Sequence, residues 1–251
     1  MTHFSTSEAA DRYEQFRPKI HNVIKGWLAS VDESKLYNSA MDVACGTGDS
    51  MIPLLDIAKN VQGFDISNVM VEKALQKNLN VKVSSLENID STQKHDLITI
   101  CMAFHWLNPD EAFKKFSDIS GSGATLLIYN FNFGGHASQH EFNDWFGSYF
   151  LNKYPSPSRN STKSEVSSMH GFNLVKKSSG LIPIVFSKVG LVKYLTTMSN
   201  VENKVVSGIS YEEVEEDLCR ELAGYDLSND FVYNFSYSIY KKTTRDYGVN
   251  S

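Results

Sequence analysis

The sequence predicts an α/β protein built around a Rossmann-like, mostly parallel sheet. Over residues 40–129, apolar stretches of strand length alternate with amphipathic stretches of helix length, which is the pattern of consecutive βαβ units. The strand-length stretches are short and mostly apolar, as parallel strands covered on both faces are. Gly46 and Gly48 follow the first of them, where a tight turn needs residues without a side chain.

Strands and helices alternate in order through this block. The strands are predicted at residues 40–44, 61–65, 81–84, 97–102 and 124–131. The helices between them are predicted at residues 49–59, 68–78 and 109–119. The last of these helices is the best defined, because Asn108 can cap its start and Pro109 suits its first turn.

The regular pattern ends after residue 133. A cap inserted at about residues 134–190 is our interpretation, because a long irregular connection inside a compact domain is usually functional or disordered. The segments beyond the cap are predicted as a strand at residues 192–197, an acidic helix at 211–223 and an edge strand at 231–240. The length of 251 residues favours a single domain spanning residues 1–251.

Composition excludes several classes of function. The net charge of -5 argues against a general nucleic-acid-binding surface, because such binding depends on many Lys and Arg residues that neutralise phosphates. A run of about 18 apolar residues would indicate a membrane span, and the sequence has none. The three cysteines lack the paired spacing of metal sites, so we expect no metal, reduced thiols and a cytoplasmic location.

The stretch from Met41 to Asp49 contains the main chemical signal. It runs from a strand into a turn with Gly46 and Gly48 and then opens a predicted helix, whose free N–H groups would attract negative charge. This arrangement predicts a nucleotide-like ligand. A nicotinamide oxidoreductase is disfavoured, because the dinucleotide fingerprint requires a third glycine where Met51 stands.

Asp65 ends the next predicted strand and is followed by Ile66. A carboxylate at this place can accept hydrogen bonds from both hydroxyl groups of a ribose. The alternative is that Asp65 caps the helix that follows it, although Ser67 and Asn68 are also candidates for that cap.

With these residues the chain resembles the class I methyltransferases that use S-adenosyl-L-methionine (SAM). The stretch Asp42-Val-Ala-Cys-Gly-Thr-Gly48 is similar to the family's Asp-x-Gly-x-Gly-x-Gly signature, with Ala44 in place of the usual first glycine. The resemblance implies SAM as the cofactor, Asp65 as the ribose-binding acid, and Ser85 with Leu86 beside the adenine. It also implies a sheet of seven strands, the last antiparallel.

Two further stretches resemble a subgroup similar to trans-aconitate methyltransferase. They are Ala103-Phe-His-Trp106, and an N-terminal stretch with Tyr13 followed by Arg17-Pro18. The resemblance implies that the lid segment, about residues 1–30, folds over the cofactor. The implied cofactor-binding residues are Tyr13, Arg17, Asp42, Ala44, Cys45, Gly46, Gly48, Asp65, Ile66, Ser85, Leu86, Ala103, His105 and Trp106.

Two residues are candidates for the acceptor side of the reaction. His105 could act as a base, position the acceptor or form a wall of the SAM pocket, and Arg17 could bind a carboxylate or pair with an acid of the fold. We expect methyl transfer to a small molecule on oxygen, with a carboxylate as one candidate for the attacked group. The alternatives are a methyltransferase acting on nucleic acid or protein, and a SAM-binding protein without catalysis.

Overall fold

The computed structural model describes residue 4 and residues 6–33, 35–156, 167–227 and 230–243. One eight-stranded sheet forms its centre. In chain order the strands are β1 (Tyr37–Val43), β2 (Ala58–Asp65), β3 (Val81–Val83), β4 (His95–Cys101), β5 (Ser120–His136), β6 (Ser168–Met169), β7 (Phe172–Ile184) and β8 (Phe231–Lys242). The α-helices are α1 (Ser7–Phe16), α2 (Val23–Ala29), α3 (Asn68–Gln76), α4 (Pro109–Ile119), α5 (His140–Asp144), α6 (Leu151–Lys153), α7 (Lys188–Leu195), α8 (Ser199–Val206) and α9 (Tyr211–Leu222).

The order of the strands confirms the predicted fold class. Across the sheet they run β3-β2-β1-β4-β5-β8-β7-β6. The first five are parallel, and β8 lies antiparallel to β5. The sheet has one strand more than the predicted seven, because the two-residue β6 pairs with the start of β7. The carboxyl ends of β1, β2 and β4 meet at one edge, where α/β sheets bind their ligands.

Both faces of the central strands are buried, as their apolar sequences predict. Successive side chains of β5 point to opposite faces. Leu127 and Tyr129 join a cluster that also contains residues of α2. Leu126 and Ile128 join a second cluster, to which Phe113 of α4 belongs. A third cluster lies among α5 to α9 and the ends of β5, β7 and β8.

The predicted strand at residues 192–197 is wrong, because α7 covers most of it. Ser187 caps this helix by accepting a hydrogen bond of 3.0 Å from the Gly190 amide. Leu191 and Leu195 are four residues apart and fully buried, so they lie on one face of the helix. A short apolar stretch fits a buried strand and a buried helix face equally well, and the cap decides here.

The predicted helix at residues 49–59 is also wrong. Only a short 3-10 helix, Ile52–Asp56, forms there, with a proline in its first turn. Strand β2 begins at Ala58, which pairs with Tyr37 at the start of β1. The early start of β2 leaves only residues 49–57 between the turn and the strand, and the 3-10 helix occupies most of them.

The interpretation of residues 134–190 as a cap requires a correction at β7. Residues 140–153 are helical, with a π-helix at Trp145–Phe150, but β7 pairs along the whole of β8. Strand β8 is therefore not an edge strand. The polar sequence of β7 hides its place in the sheet, because its residues alternate between exposed and half-buried positions.

The N-terminal residues described form α1 and α2, which include most of the predicted lid segment. Thr6 caps α1 by accepting a hydrogen bond of 3.1 Å from the Ala9 amide. The helix buries only Ala9 and Ala10 and packs against α3 and α7. No helix in the described part of the chain is long and apolar enough to cross a membrane.

The turn after β1 adopts a left-handed backbone at three alternate residues. Ala44, Gly46 and Gly48 have φ angles of 55°, 54° and 86°. A side chain in this region costs about 1–2 kcal/mol. At Gly48 a Cβ atom would also clash with Leu79, which follows α3. The turn therefore requires glycine at position 48, and Ala44 carries a strain that glycine would relieve.

Substitutions at these two positions should change stability in opposite directions. Gly48→Ala is expected to lower the free energy of unfolding by about 2 kcal/mol or more, because strain and a clash with Leu79 add up. Ala44→Gly is expected to raise it by about 1 kcal/mol through relief of the φ strain. Urea denaturation of both variants and the wild type measures this. A loss of stability in Ala44→Gly would contradict the strain argument.

Candidate active site

A cavity of about 420 Å³ lies where β1, β2 and β4 end. Most of the predicted cofactor-binding residues line it. These are Tyr13, Ala44, Gly46, Asp65, Ile66, Ser85, Leu86, Ala103 and Trp106. We call this the first cavity.

Asp65 joins the ends of β1 and β2. One carboxylate oxygen accepts a hydrogen bond of 2.8 Å from the Gly46 amide, and the other accepts one of 2.9 Å from the Ser67 amide. A carboxylate has about four lone-pair sites, so acceptor capacity remains at the cavity. Burial raises the pKa of Asp65. The side-chain cap of α3 is Ser67, whose hydroxyl accepts a hydrogen bond from the Met70 amide.

Three of the predicted cofactor-binding residues, Asp42, Cys45 and Gly48, do not line the first cavity. They do not line the second cavity beside it either. Asp42 is fully buried behind the turn, where burial raises its pKa to about 6. It accepts hydrogen bonds from the hydroxyl of Ser50, at 2.5 Å, and from that of Thr99. Asp42 thus connects the turn to β4. The predicted helix N-terminus behind the turn is missing, because only the 3-10 helix follows it.

Apolar side chains line the other end of the first cavity. Leu86, Ile89 and Leu107 contribute to this wall, and Ser84 and Ser85 lie beside it. The Ser85 hydroxyl accepts a hydrogen bond of 3.1 Å from the Asn88 side chain. A flat, uncharged ring system fits such a wall, because most of its surface is apolar and its few polar atoms need only single partners.

A second cavity of about 270 Å³ adjoins the first. Both are lined by Phe4, Tyr13, Met102 and Trp106, so these four side chains stand where the two spaces meet. Burial raises the pKa of Tyr13 to about 12, so its hydroxyl is neutral. The second cavity is otherwise lined by Arg17, Phe104, His105, Asn130, Asn132, Ser199 and Ser236.

Arg17 brings a permanent positive charge to the second cavity. Its Nη2 atom donates a hydrogen bond of 2.7 Å to the carbonyl of Thr197, and its guanidinium lies over the rings of Tyr13 and Tyr194. Its Nε atom is buried without a hydrogen-bond partner. Within the described residues no carboxylate pairs with Arg17. The predicted alternative, in which Arg17 pairs with an acidic residue of the fold, is therefore not observed among the described residues.

His105 lies in a 3-10 helix, Phe104–Trp106, directly after β4. The centre of its ring is 4.6 Å from that of Trp106. His105 lines the second cavity but not the first, whereas Trp106 lines both cavities. This placement favours a role toward the acceptor over a role as a wall of the SAM pocket.

Several residues of the site were missed in the sequence. Cys101 and Met102 could have been predicted from the position where β4 ends, because they stand at that end. Met102 has a left-handed φ of 52°. Asn130 and Asn132 had a readable signal, since two amides alternate with aromatic residues in an otherwise apolar strand. Phe4 had no such signal, because it reaches the cavities only through the folding of the N-terminal segment.

Comparison with known proteins finds similarity to methyltransferases, as the sequence motifs do. The family model of a methyltransferase domain matches residues 40–121. This stretch of the chain is similar to methyltransferase domains. A Dictyostelium discoideum protein that is named as a methyltransferase is 27% identical to this chain over 121 residues. The match covers 47% of this chain and 46% of that protein. The match thus spans less than half of the relative's length.

Solved structures share the fold of this chain at low sequence identity. One is an Anaeromyxobacter dehalogenans protein described as a type II methyltransferase, with 17% identity and a TM-score of 0.64. The superposition covers 91% of this chain and 98% of that one. A Haemonchus contortus phosphoethanolamine N-methyltransferase, solved with S-adenosylhomocysteine, has 15% identity and a TM-score of 0.53, covering 96% of this chain and 58% of that one. At such identities the likeness shows the fold alone.

Ion pairs attach α1 to the rest of the fold beside the first cavity. Lys77, at the end of α3, contacts Glu14 of α1 at 2.5 Å, Asp49 at 2.7 Å and the carbonyl of Thr47 at 2.9 Å. Lys19 contacts Asp49 at 2.5 Å. Because only Ala9 and Ala10 of α1 are classed as buried, we expect these charges to contribute to its attachment.

Removal of the Lys77 charge should loosen α1 selectively. Lys77→Met is expected to speed hydrogen exchange of the α1 amides by about fivefold, equivalent to about 1 kcal/mol of local stability for a partly buried network. Lys25→Met is a matched control, because Lys25 forms an exposed pair with Asp56 away from α1. Hydrogen exchange read by mass spectrometry measures both. Equal exchange in the two variants would assign the attachment to apolar packing instead.

Proposed function

We propose that this protein transfers the methyl group of SAM to a small carboxylic acid bound in the second cavity. The observation that carries the proposal is that Arg17 lines the second cavity and has no carboxylate partner among the described residues. A guanidinium without an anionic partner favours an anion, and its planar fork matches a carboxylate. Tyr13, Arg17 and the stretch from Ala103 to Trp106 also support a place in the subgroup similar to trans-aconitate methyltransferase.

The first cavity fits SAM by size and chemistry. Its volume of about 420 Å³ lies in the usual range of ligand pockets, about 300–1,000 Å³. Asp65 would accept the ribose hydroxyls, Ser85 and Leu86 would flank the adenine, and the turn at Gly46 leaves room for close approach of the ligand. When bound, SAM supplies an activated methyl group.

The residues shared by the cavities define where transfer takes place. Tyr13, Met102 and Trp106 line both spaces, so a methyl group passing from one to the other passes beside them. Holding both reactants in such a place supplies much of the acceleration without a dedicated catalytic group.

A carboxylate acceptor removes the need for a base. Carboxylic acids are ionised at neutral pH, so no proton has to leave before the oxygen attacks the methyl carbon. The carbon–oxygen bond forms as the carbon–sulfur bond breaks, and a methyl ester and S-adenosylhomocysteine result. In this scheme Arg17 binds one carboxylate and His105 positions the acceptor.

A labelling experiment tests the attacked atom directly. The protein is incubated with methyl-labelled SAM and a cellular metabolite extract, and the labelled products are treated with mild alkali. Methyl esters release labelled methanol under these conditions, whereas N-methyl products keep the label. Alkali-stable label in the main product would overturn the carboxylate proposal and leave SAM dependence intact.

Asp65→Ala is expected to weaken SAM binding by about 1–3 kcal/mol, because the ribose hydroxyls lose a charged acceptor. Isothermal titration calorimetry with SAM measures the change, and NAD serves as the negative ligand. Asp56→Ala is the control, since Asp56 lies on the surface away from the cavity. Unchanged SAM affinity in a folded Asp65→Ala protein would restrict Asp65 to holding the turn.

Arg17→Leu should act on the acceptor rather than on the cofactor. Loss of a charged hydrogen-bonding partner is expected to raise the acceptor KM by about 10- to 100-fold, while the SAM dissociation constant changes by less than about twofold. Arg17→Lys keeps the charge without the fork and should recover only part of the effect. The acceptor assignment fails if both variants lose SAM affinity and keep the acceptor KM.

A further inference from the structure

Strand β5 places two asparagines in the wall of the second cavity. Asn130 and Asn132 are two residues apart, so their side chains leave the strand on the same face. Tyr129 and Phe131 point the other way, into the cluster that contains α2 residues. Strand β4 pairs with β5 only as far as Cys101, opposite Tyr129. The asparagines therefore lie beyond the end of β4, where the sheet edge is open to the cavity.

The fold makes no use of these two amides. Neither side chain hydrogen-bonds to another residue in the described part of the chain, and asparagine is disfavoured in strands. Ser236 lies opposite Asn130 on β8 and lines the same cavity, also without a side-chain hydrogen bond among the described residues. Polar atoms that converge on a cavity without protein partners are what fixes a ligand's orientation.

The charge of Arg17 limits what these amides can bind. A carboxamide offers two donors and an acceptor oxygen, so alone it would accept an ammonium group as well as an oxygen group. A cationic group in a cavity that contains the Arg17 guanidinium would be repelled, and more strongly than in water. The amides therefore suit a hydroxyl or a carboxylate.

We propose that Asn130 and Asn132 are specificity-determining residues, which select acceptors with a second oxygen group in addition to the carboxylate held by Arg17. This inference rests on the proposed function. The second group, a hydroxyl or a further carboxylate, accepts hydrogen bonds from the amides. A simple monocarboxylate leaves those donors without the partner and binds less well.

Binding of three small acids tests the inference without reference to turnover. The probes are butanoate, 3-hydroxybutanoate and glutarate, measured by ligand-observed NMR on protein saturated with S-adenosylhomocysteine. In the wild type the two acids with a second oxygen group are expected to bind about tenfold more tightly than butanoate, as one or two hydrogen bonds imply. Asn130→Leu and Asn132→Leu should reduce this preference to less than about twofold.

Two further variants sharpen the test. Asn234→Leu is the matched control, because Asn234 lies opposite Asn132 on β8, is exposed and does not line the cavity. It should keep the full preference. Asn130→Asp adds a negative charge, so it should weaken glutarate more than 3-hydroxybutanoate. If the Asn132→Leu protein does not fold, Asn132→Ser is measured in its place, because position 132 is exposed and accepts a small polar residue.

The outcomes separate this inference from the proposed function. Equal binding of the three acids, binding of none, or a preference that survives both leucine variants overturns the role of the asparagines. The proposed function fails on different measurements: no binding of S-adenosylhomocysteine by calorimetry, or butanoate binding that Arg17→Leu leaves unchanged.

Discussion

The hydrogen bond from the Gly46 amide to the Asp65 carboxylate is the contact on which the site depends. It joins the turn after β1 to the end of β2 and so fixes one side of the first cavity. The turn can meet Asp65 only because its backbone is left-handed at Gly46. Asp65 serves two purposes, since its remaining lone pairs face the space that the ribose would occupy. Any change that frees the turn therefore also misplaces the ribose acceptor.

Unequal strand length produces the second cavity. Strand β4 ends at Cys101, whereas β5 continues to His136. The residues of β5 beyond β4 have a neighbour on one side only, namely β8, and their polar face is open to a ligand. In the proposed function, cofactor and acceptor would thus lie side by side at one sheet edge. Such an arrangement favours in-line transfer because neither reactant has to move far.

The sequence predicted the features that depend on local chemistry. The turn at Gly46 with Asp65 and the capped helix at Pro109 could be predicted because glycine, carboxylate and cap residues have few alternative uses. Helix α7 could not, since Leu191 and Leu195 suit a strand as well as a helix. Strand β7 was hidden because half of its residues are exposed. The lack of a carboxylate partner for Arg17 among the described residues depends on the packing of distant segments, which no local pattern records.

Arg17 links the occupancy of the second cavity to the position of α1. It follows α1 directly, and its guanidinium is held from the other side by the Thr197 carbonyl. A buried guanidinium without an anion is costly, because hydrogen bonds to carbonyls and contacts with rings replace only part of its hydration. An acceptor carboxylate would relieve that cost and thereby stabilise the placement of α1. Because Tyr13 of α1 lines both cavities, acceptor binding would also hold this side chain in place on the cofactor side.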